Sequence, residues 1–478
     1  MSELPRTDCL WWHDTPPIDL PQRVEPADND VDFAIIGAGF TGLWTAIHLK
    51  TLLPNKKIIV LEAHRVGHGA SGRNGGWLMG SCEGLSAFCN GSGQLPKDVI
   101  TEFRDLVPNF VSSLKALAID CDLKQGGGIF GAARYPAQRL RAKTLLESLH
   151  QLGFDERDYR WLSREELTER VSVHNGQGGI YTPLIATLNP AKLLQGLVRA
   201  ARNKGVAIYE RSPATLEDTG ILGTPSGNVN ASNIIWATEA YSSNPPLKKR
   251  LLAVQSGIVC TEPLSHAQWN DIGFDQHEAF CDLSRASTYL QRTADDRLIV
   301  GARGAYAFNN RARDSFSAST HRTNKRIALG RALFPQLDKV TFTHSWEGSL
   351  GIGRTFTPHI VFDPQQRIAT AGGYIGEGVG ASYLFALTLA EGFAAVDSPR
   401  LSMPWVLRGN LASQLRRWEH EPLPWLGFNG AMSAFDVEEF MINKAIPGTR
   451  AVSWFCDRLE GLIGHCEEWF TWSRQSPR

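Results

Sequence analysis

With 478 residues, 42% of them hydrophobic and 21% charged, the chain has the composition of a globular protein of two or three domains. Lys plus Arg equals Asp plus Glu at 49 each, so no basic field recommends a nucleic acid or an acidic lipid surface as partner. No apolar run is long enough to span a bilayer. The eight cysteines, at 9, 82, 89, 121, 260, 281, 456 and 466, form no C-x-x-C pair and no zinc-ligand spacing, so no metal is expected and reduced thiols fit a cytoplasmic setting.

The opening MSELPRTDCLWWHDTPP has no apolar segment behind a basic end, and no secretory leader is expected. Next comes VDFAIIGAGFTGLWTAIHLKTLLPNKKIIVLEA. Val31–Ile36 reads as a buried strand, Leu43, Ala46, Ile47 and Leu49 recur at helical spacing, and Lys57–Leu61 is a second buried strand closed by Glu62. Gly37 permits a tight turn, Gly39 lets the backbone approach a pyrophosphate, and Gly42 lets the helix pack on the strand. The helix start at Phe40 and Thr41 offers free N–H groups to phosphates, and Glu62, followed by Ala63, suits ribose hydroxyls. Strand, turn, helix, strand and acid in this order predict a bound adenine dinucleotide.

Residues 67–77, GHGASGRNGGW, return past those phosphates. Closely spaced glycines expose N–H groups and admit positive φ, so Gly69, Ala70, Ser71, Gly75 and Gly76 are candidate cofactor contacts. Arg73 and Asn74 add donors for anionic or carbonyl oxygens. GGGIFG (126–131) repeats the G-x-G-x-x-G string, but AARYPAQRL follows it, and it reads as a glycine-rich turn. GVAIYERSPATLED reads as one strand. NIIWATEAY is a buried strand that delivers Ala237 and Thr238 to the cofactor. STYLQRTADDRLIVGARGAY reads as paired strands, Ser287–Thr293 and Arg297–Ala302, with Tyr289 and Gln291 on one face. RIATAGGYIGEGVGASYLFALTLAEGF is strand, glycine turn and apolar helix. A second helix start aimed at the cofactor suits a flavin, whose N1–C2=O edge gains negative charge on reduction. Gly373, Tyr374, Gly376, Gly378 and Val379 are candidates there, with the Glu377 side chain expected to point elsewhere. In SWFCDRLEGLIGHCEEWFTW, Phe455, Leu459, Leu462 and Ile463 recur at helical spacing and are expected to pack inward.

GAGFTGLWTAIHL, VLEAHRVGHGASGRNGGW, IIWATEAYSS and AGGYIGEGVGASYLFALTLAEGF together resemble the FAD-dependent oxidoreductases of the D-amino acid oxidase superfamily, gamma-glutamylputrescine oxidase-like branch. The resemblance runs from about residue 10 (LWWHDTPP) to about 460. It implies an α/β protein: a glutathione-reductase-type FAD-binding Rossmann domain with an inserted antiparallel-sheet (α+β) substrate domain. The divisions expected are an arm (1–30), an FAD-binding domain (31–95, 184–250, 345–400), a cap (96–183, 251–344) and a C-terminal extension packed on the body (401–478). The family's adenine edge corresponds to backbone near Ala214.

Histidyl-linked members of the superfamily carry their histidine where this chain has Arg73, and cysteinyl-linked members carry a cysteine near SWEGSLGIGRTFTP, where none lies. Non-covalent FAD is therefore implied, with His68 five positions before the attachment point. Tyr289, Arg303, Trp346 and Arg354 are candidate substrate-positioning residues, and no general base is assigned. The implied reaction is hydride transfer from a primary or secondary amine (gamma-glutamylputrescine-like, a polyamine or an N-alkyl amino acid), giving an imine that water hydrolyses. Oxygen or an electron-acceptor protein would take the electrons, since no second nucleotide unit appears. Oxidation of a D-amino acid or 2-hydroxy acid, and a catalytically silent flavin-binding protein, are the alternatives.

Overall fold

The computed structural model describes residues 5–6, 8–16, 18–25, 28–242, 246–285, 288–312, 315, 319–444 and 446–463; of these, the side chains of 303, 443, 457 and 460–463 are outside the description. Two large sheets carry the architecture. The first runs, in spatial order, Val406–Arg408, His359–Asp363, Ile368–Gly372, Gly227–Trp236, Asp30–Ile36, Ile58–Leu61 and Ala207–Tyr209. From Ile368–Gly372 to Ala207–Tyr209 every pairing is parallel. Buried on both faces, these strands are near-continuous runs of β-branched and apolar residues, as parallel sheets require.

Helices Phe40–Leu52 and Gly378–Phe393 pack against each other beside this sheet, and both are apolar nearly all round, the pattern of helices with no solvent face. Gly42 has its Cα against the turn: a Cβ there would lie 2.0 Å from the Gly37 carbonyl oxygen. Helix Lys97–Ala116, expected in the cap, packs on this body instead; Phe110 and Tyr383 meet Trp44 edge to face, and Ser113 bonds Tyr383.

The second sheet is ordered Phe342–Gly353, Leu251–Thr261, Leu298–Tyr306, Thr288–Arg292, Ala279–Asp282, Gly128–Gly131, Gly179–Thr182 and Arg160–Leu162. All pairings are antiparallel except the parallel one between Ala279–Asp282 and Gly128–Gly131. Strand Phe342–Gly353 runs unbroken through the division expected at 344/345, paired along its length with Leu251–Thr261.

Three local expectations change. Residues 128–131 of GGGIFG are a central strand and not a turn; Cβ atoms at Gly128 and Gly131 would meet Ile185 and the Phe280 ring at 2.5 Å, so the glycines admit Ile185 from a separate small sheet and the Phe280 ring from the adjacent strand. GVAIYERSPATLED is two strands, Ala207–Tyr209 and Thr215–Asp218, broken where Arg211 takes φ +48° ahead of Pro213. The C-terminal helices Leu423–Asn443 and Thr449–Ile463 form a hairpin in which Phe455 is 51% exposed and Trp454 60%, while Cys456 is the residue buried against Ala431 and Phe435. The Leu462 and Ile463 side chains lie outside the description, as do residues 464–478 with His465 and Cys466.

No described helix is long and apolar enough to cross a membrane, and no group of described His, Cys, Asp or Glu residues could hold a metal ion. Substituting Gly42→Ala should push the first helix off its turn, lowering the unfolding free energy by about 1–3 kcal/mol in chemical denaturation; an unchanged midpoint would mean that the helix shifts without cost.

Candidate functional site

The parallel strands end in register. Ile36 lies opposite both Leu61 and Trp236, so Gly37, Glu62 and Ala237 emerge side by side at the carboxyl edge, where open α/β sheets take ligands. Gly37 N–H donates to Leu61 O at 2.8 Å and Ala237 N–H to Ile36 O at 2.9 Å. Gly37 has φ +104°, and a Cβ would stand 2.6 Å from Ala237 O, so only glycine completes this turn.

From this edge opens a cavity of about 890 Å³, at the upper end of the roughly 300–1,000 Å³ typical of ligand sites. Its walls include Gly37, Gly39, Phe40, Thr41, Glu62, Ala63, Gly69, Ala70, Ser71, Arg73, Asn74, Gly75, Ala214, Ala237, Thr238, Tyr374, Gly376, Gly378, Val379 and Tyr289. The Gly37–Gly42 turn and the 373–379 segment are joined directly: Thr41 Oγ1 and Tyr374 Oη, 333 residues apart in sequence, are 3.0 Å apart. Three expected positions stand behind the wall. Gly42 backs the turn, Gly76 (φ +74°) has its Cα against Leu188 O and Gln291, and Gly373 (φ +73°) packs on His359.

Glu62 accepts the Ala38 N–H at 2.8 Å on one oxygen and the His64 N–H at 3.0 Å on the other, and burial raises its pKa. Ser71 Oγ accepts the Phe40 N–H at 2.9 Å, capping the first helix from the 67–77 loop. That loop is braced from behind. Trp12 Nε1 donates to Gly72 O at 3.0 Å, Trp346 Nε1 to Arg73 O at 2.9 Å and Trp11 Nε1 to Asn74 O at 2.8 Å.

Arg73 and Asn74 use their donors within the protein. Arg73, 2% exposed, donates to the carbonyls of His68 (2.6 Å), Ser315 (2.7 Å) and Glu347 (3.3 Å). Asn74 donates to Ala70 O and Ser71 O and accepts the Gly76 N–H. Trp346 is wholly buried against Trp11 and lies outside the cavity lining; its expected substrate contact is replaced by the bond to Arg73 O. Arg354 also lies outside, paired with Glu419 at 2.9 Å and stacked over Trp418. The backbone of Arg303 is in strand Leu298–Tyr306, and its side chain is outside the described residues.

Tyr289 does face the cavity. Its ring lies between Gly75 and Gly301, where Cβ atoms would approach it to 2.6 and 1.9 Å, and its hydroxyl meets Ser256 Oγ at 2.9 Å. Gln291, on the same strand face, donates to Gly75 O. His68 lines the cavity with its ring stacked on His64 at 4.0 Å; burial, then Arg73 and His64, lowers its pKa to about 4, so the imidazole is neutral. Glu377, expected to turn away, is itself a lining residue, and its charge adds to burial in raising the Tyr159 phenol.

Sequence reading missed Glu239, although it follows Ala237 and Thr238 directly. At φ +45° its side chain reaches across to accept the Tyr374 N–H at 3.0 Å. Its other carboxylate oxygen is buried without a hydrogen-bond partner, and burial raises the group's pKa to about 7. Glu239 lines the cavity, while this second oxygen is turned toward Gly351 of the second sheet. With the Gly37–Gly42 turn and Glu62, the residues present fit a dinucleotide.

Two outcomes follow. Trp346→Phe leaves the buried Arg73 carbonyl without its donor and should cost about 1–3 kcal/mol in denaturant unfolding; no loss would deny the brace. Glu239 is held above its ordinary 4.5 at about 7 in the folded chain, so it favours folding at low pH and withdraws that support as pH rises between those values. Glu239→Gln should therefore gain stability relative to wild type as pH rises from 4.5 to 7 in thermal unfolding of the apoprotein; a difference constant with pH would contradict the assignment.

Comparison with known proteins agrees with this geometry. The chain is 28% identical over 389 residues to the probable oxidoreductase OrdL of Haemophilus influenzae (78% of this chain, 84% of that protein). It is 26% identical over 373 residues to the gamma-glutamylputrescine oxidoreductase of Escherichia coli (75% and 83%). Among solved structures, glycine oxidase from Geobacillus kaustophilus superposes with a TM-score of 0.65 at 19% identity, covering 82% of this chain and all of that one. The profile of the family described as FAD dependent oxidoreductase (DAO) matches residues 32–392. The chain belongs to this family of FAD-dependent oxidoreductases, and FAD is its cofactor.

Proposed function

We propose that the protein oxidises a primary or secondary amine to an imine, which water then hydrolyses to a carbonyl compound and a free amine. The observation that carries this reading is that one cavity is continuous: its dinucleotide end is contiguous with a cap end walled by Tyr289, Ser256, Thr288 and Phe130. The likeness to the gamma-glutamylputrescine oxidoreductase supports an amine as the donor.

In this reading the Gly37–Gly42 turn and the start of helix Phe40–Leu52 hold the pyrophosphate, and Glu62 holds the ribose. Ala214 borders the adenine, and Tyr374, Gly376, Gly378 and Val379 flank the flavin. FAD, when bound, takes up a hydride from the carbon bearing the nitrogen. Tyr289, fixed between two glycines and anchored on Ser256, orients the substrate, and Phe130, Leu145 and Met79 exclude water. Orientation of this kind supplies several kcal/mol without a general base. Attachment of FAD is non-covalent, a reading supported by the engagement of His68 with His64 and Arg73. Oxygen or an acceptor protein reoxidises the enzyme.

Acid precipitation of the yellow holoprotein should leave the colour in the supernatant; colour in the pellet would sink the non-covalent assignment. Anaerobic mixing with polyamines, gamma-glutamylated amines or N-methyl amino acids should bleach the flavin, faster as pH rises and the ammonium loses its proton. Failure of all of them, with bleaching by a 2-hydroxy acid, would replace the amine reading. Tyr289→Phe should keep FAD and lower kcat/KM about tenfold, the loss expected for one orienting hydrogen bond.

A further inference from the structure

The cap end of the cavity carries two arginines, Arg141 and Arg285, and neither is left as a bare cation. Behind them lies Glu438, from helix Leu423–Asn443, with no exposed surface. Its carboxylate takes two bonds from Arg285, one through Nε and one through Nη2 at 3.0 Å, and meets Arg141 Nη2 at 3.5 Å. Phe435, one turn earlier, stacks under the Arg285 guanidinium at 5.7 Å. Beside them Asp282 is saturated by Arg134 (2.7 Å), Gln138 (3.0 Å), Ser284 (2.9 Å) and Thr288 (2.6 Å).

The helix that brings Glu438 lies beyond residue 392, where the family profile ends. It is seated by other polar contacts on the cap: Asn429 donates to Tyr306 O, and Lys325 pairs with Asp436. This part of the chain therefore sets the charge of a pocket wall built by the family core. A bidentate carboxylate fixes both the charge and the direction of a guanidinium. A second carboxylate entering from the cavity would have to compete with one already in place and be repelled by it.

We propose that Glu438 is a specificity-determining residue: by engaging Arg285 with two bonds and Arg141 more loosely from behind, it offsets the positive charge at the cap end of the pocket and turns the enzyme away from substrates bearing a carboxylate on the reacting carbon. The preferred donor is then an amine whose reacting carbon carries only hydrogen or alkyl groups. This rests on the proposed function in placing the substrate at the cap end.

Butyrate is the probe, since its binding to the holoenzyme, followed by the flavin absorption spectrum, needs no turnover. Glu438→Gln should bind butyrate about tenfold more tightly than wild type, with unchanged FAD content. The double variant Arg285→Gln with Glu438→Gln should return to weak binding. Equal affinities of wild type and Glu438→Gln, or tight binding by the double variant, would overturn the proposal. If Glu438→Gln does not fold, wild-type holoenzyme decides: butylamine should be oxidised in preference to both enantiomers of 2-aminobutyrate, and the reverse order would overturn it. Failure of every amine to reduce the flavin would instead strike the proposed function, leaving the butyrate comparison to judge Glu438 by itself.

Discussion

Three indole N–H groups take three consecutive carbonyls of one loop, those of Gly72, Arg73 and Asn74, and the rest of the site depends on that bracing. The loop has five glycines in eleven residues and little side-chain packing of its own, so by composition it would sample many conformations. Two of these tryptophans are neighbours in the N-terminal residues 10–12, and the third comes from the longest strand of the second sheet. The loop thus ties residues 10–12, the nucleotide unit and the second sheet together. Once held, it supplies the Ser71 cap of the first helix, the Gly75 surface under Tyr289 and the carbonyl that receives Gln291.

The buried charges follow one rule, that desolvation is tolerated where hydrogen bonds compensate it. Arg73 has backbone carbonyls, Glu347 has Arg322 and Arg326, and Glu438 has Arg285 and Arg141. Glu239 departs from the rule on one oxygen, as do Arg250 at Nε and Glu439 at Oε1, and of these three Glu239 lines the cavity.

The site was unevenly legible. The 31–62 unit could be read because each step of strand, turn, helix and acid is local: Gly42 meets Gly37, although Gly37 and Gly39 also meet distant Ala237 and Ser71. The 368–393 segment was legible for the same reason. Arg73, Asn74, Trp346 and Arg354 were harder. Their residue types suit ligand binding, but each meets a protein group in the fold, and a donor spent on a carbonyl looks in sequence like one available to a ligand. GGGIFG misled because glycine both permits turns and admits close packing in a strand, and only the neighbours Ile185 and Phe280 tell which.

By itself, then, the sequence determined the parallel-sheet unit for a dinucleotide, because hydrophobic periodicity and glycine spacing act over a single turn or strand, and its family resemblance implied that the dinucleotide is FAD. Tertiary structure alone decided which donors remain for a ligand, how Glu239 reaches Tyr374, and that a helix near the chain's end supplies the carboxylate behind Arg285. Those outcomes depend on which distant groups meet in a low-dielectric interior, where one hydrogen bond decides whether a charge serves a ligand or the fold.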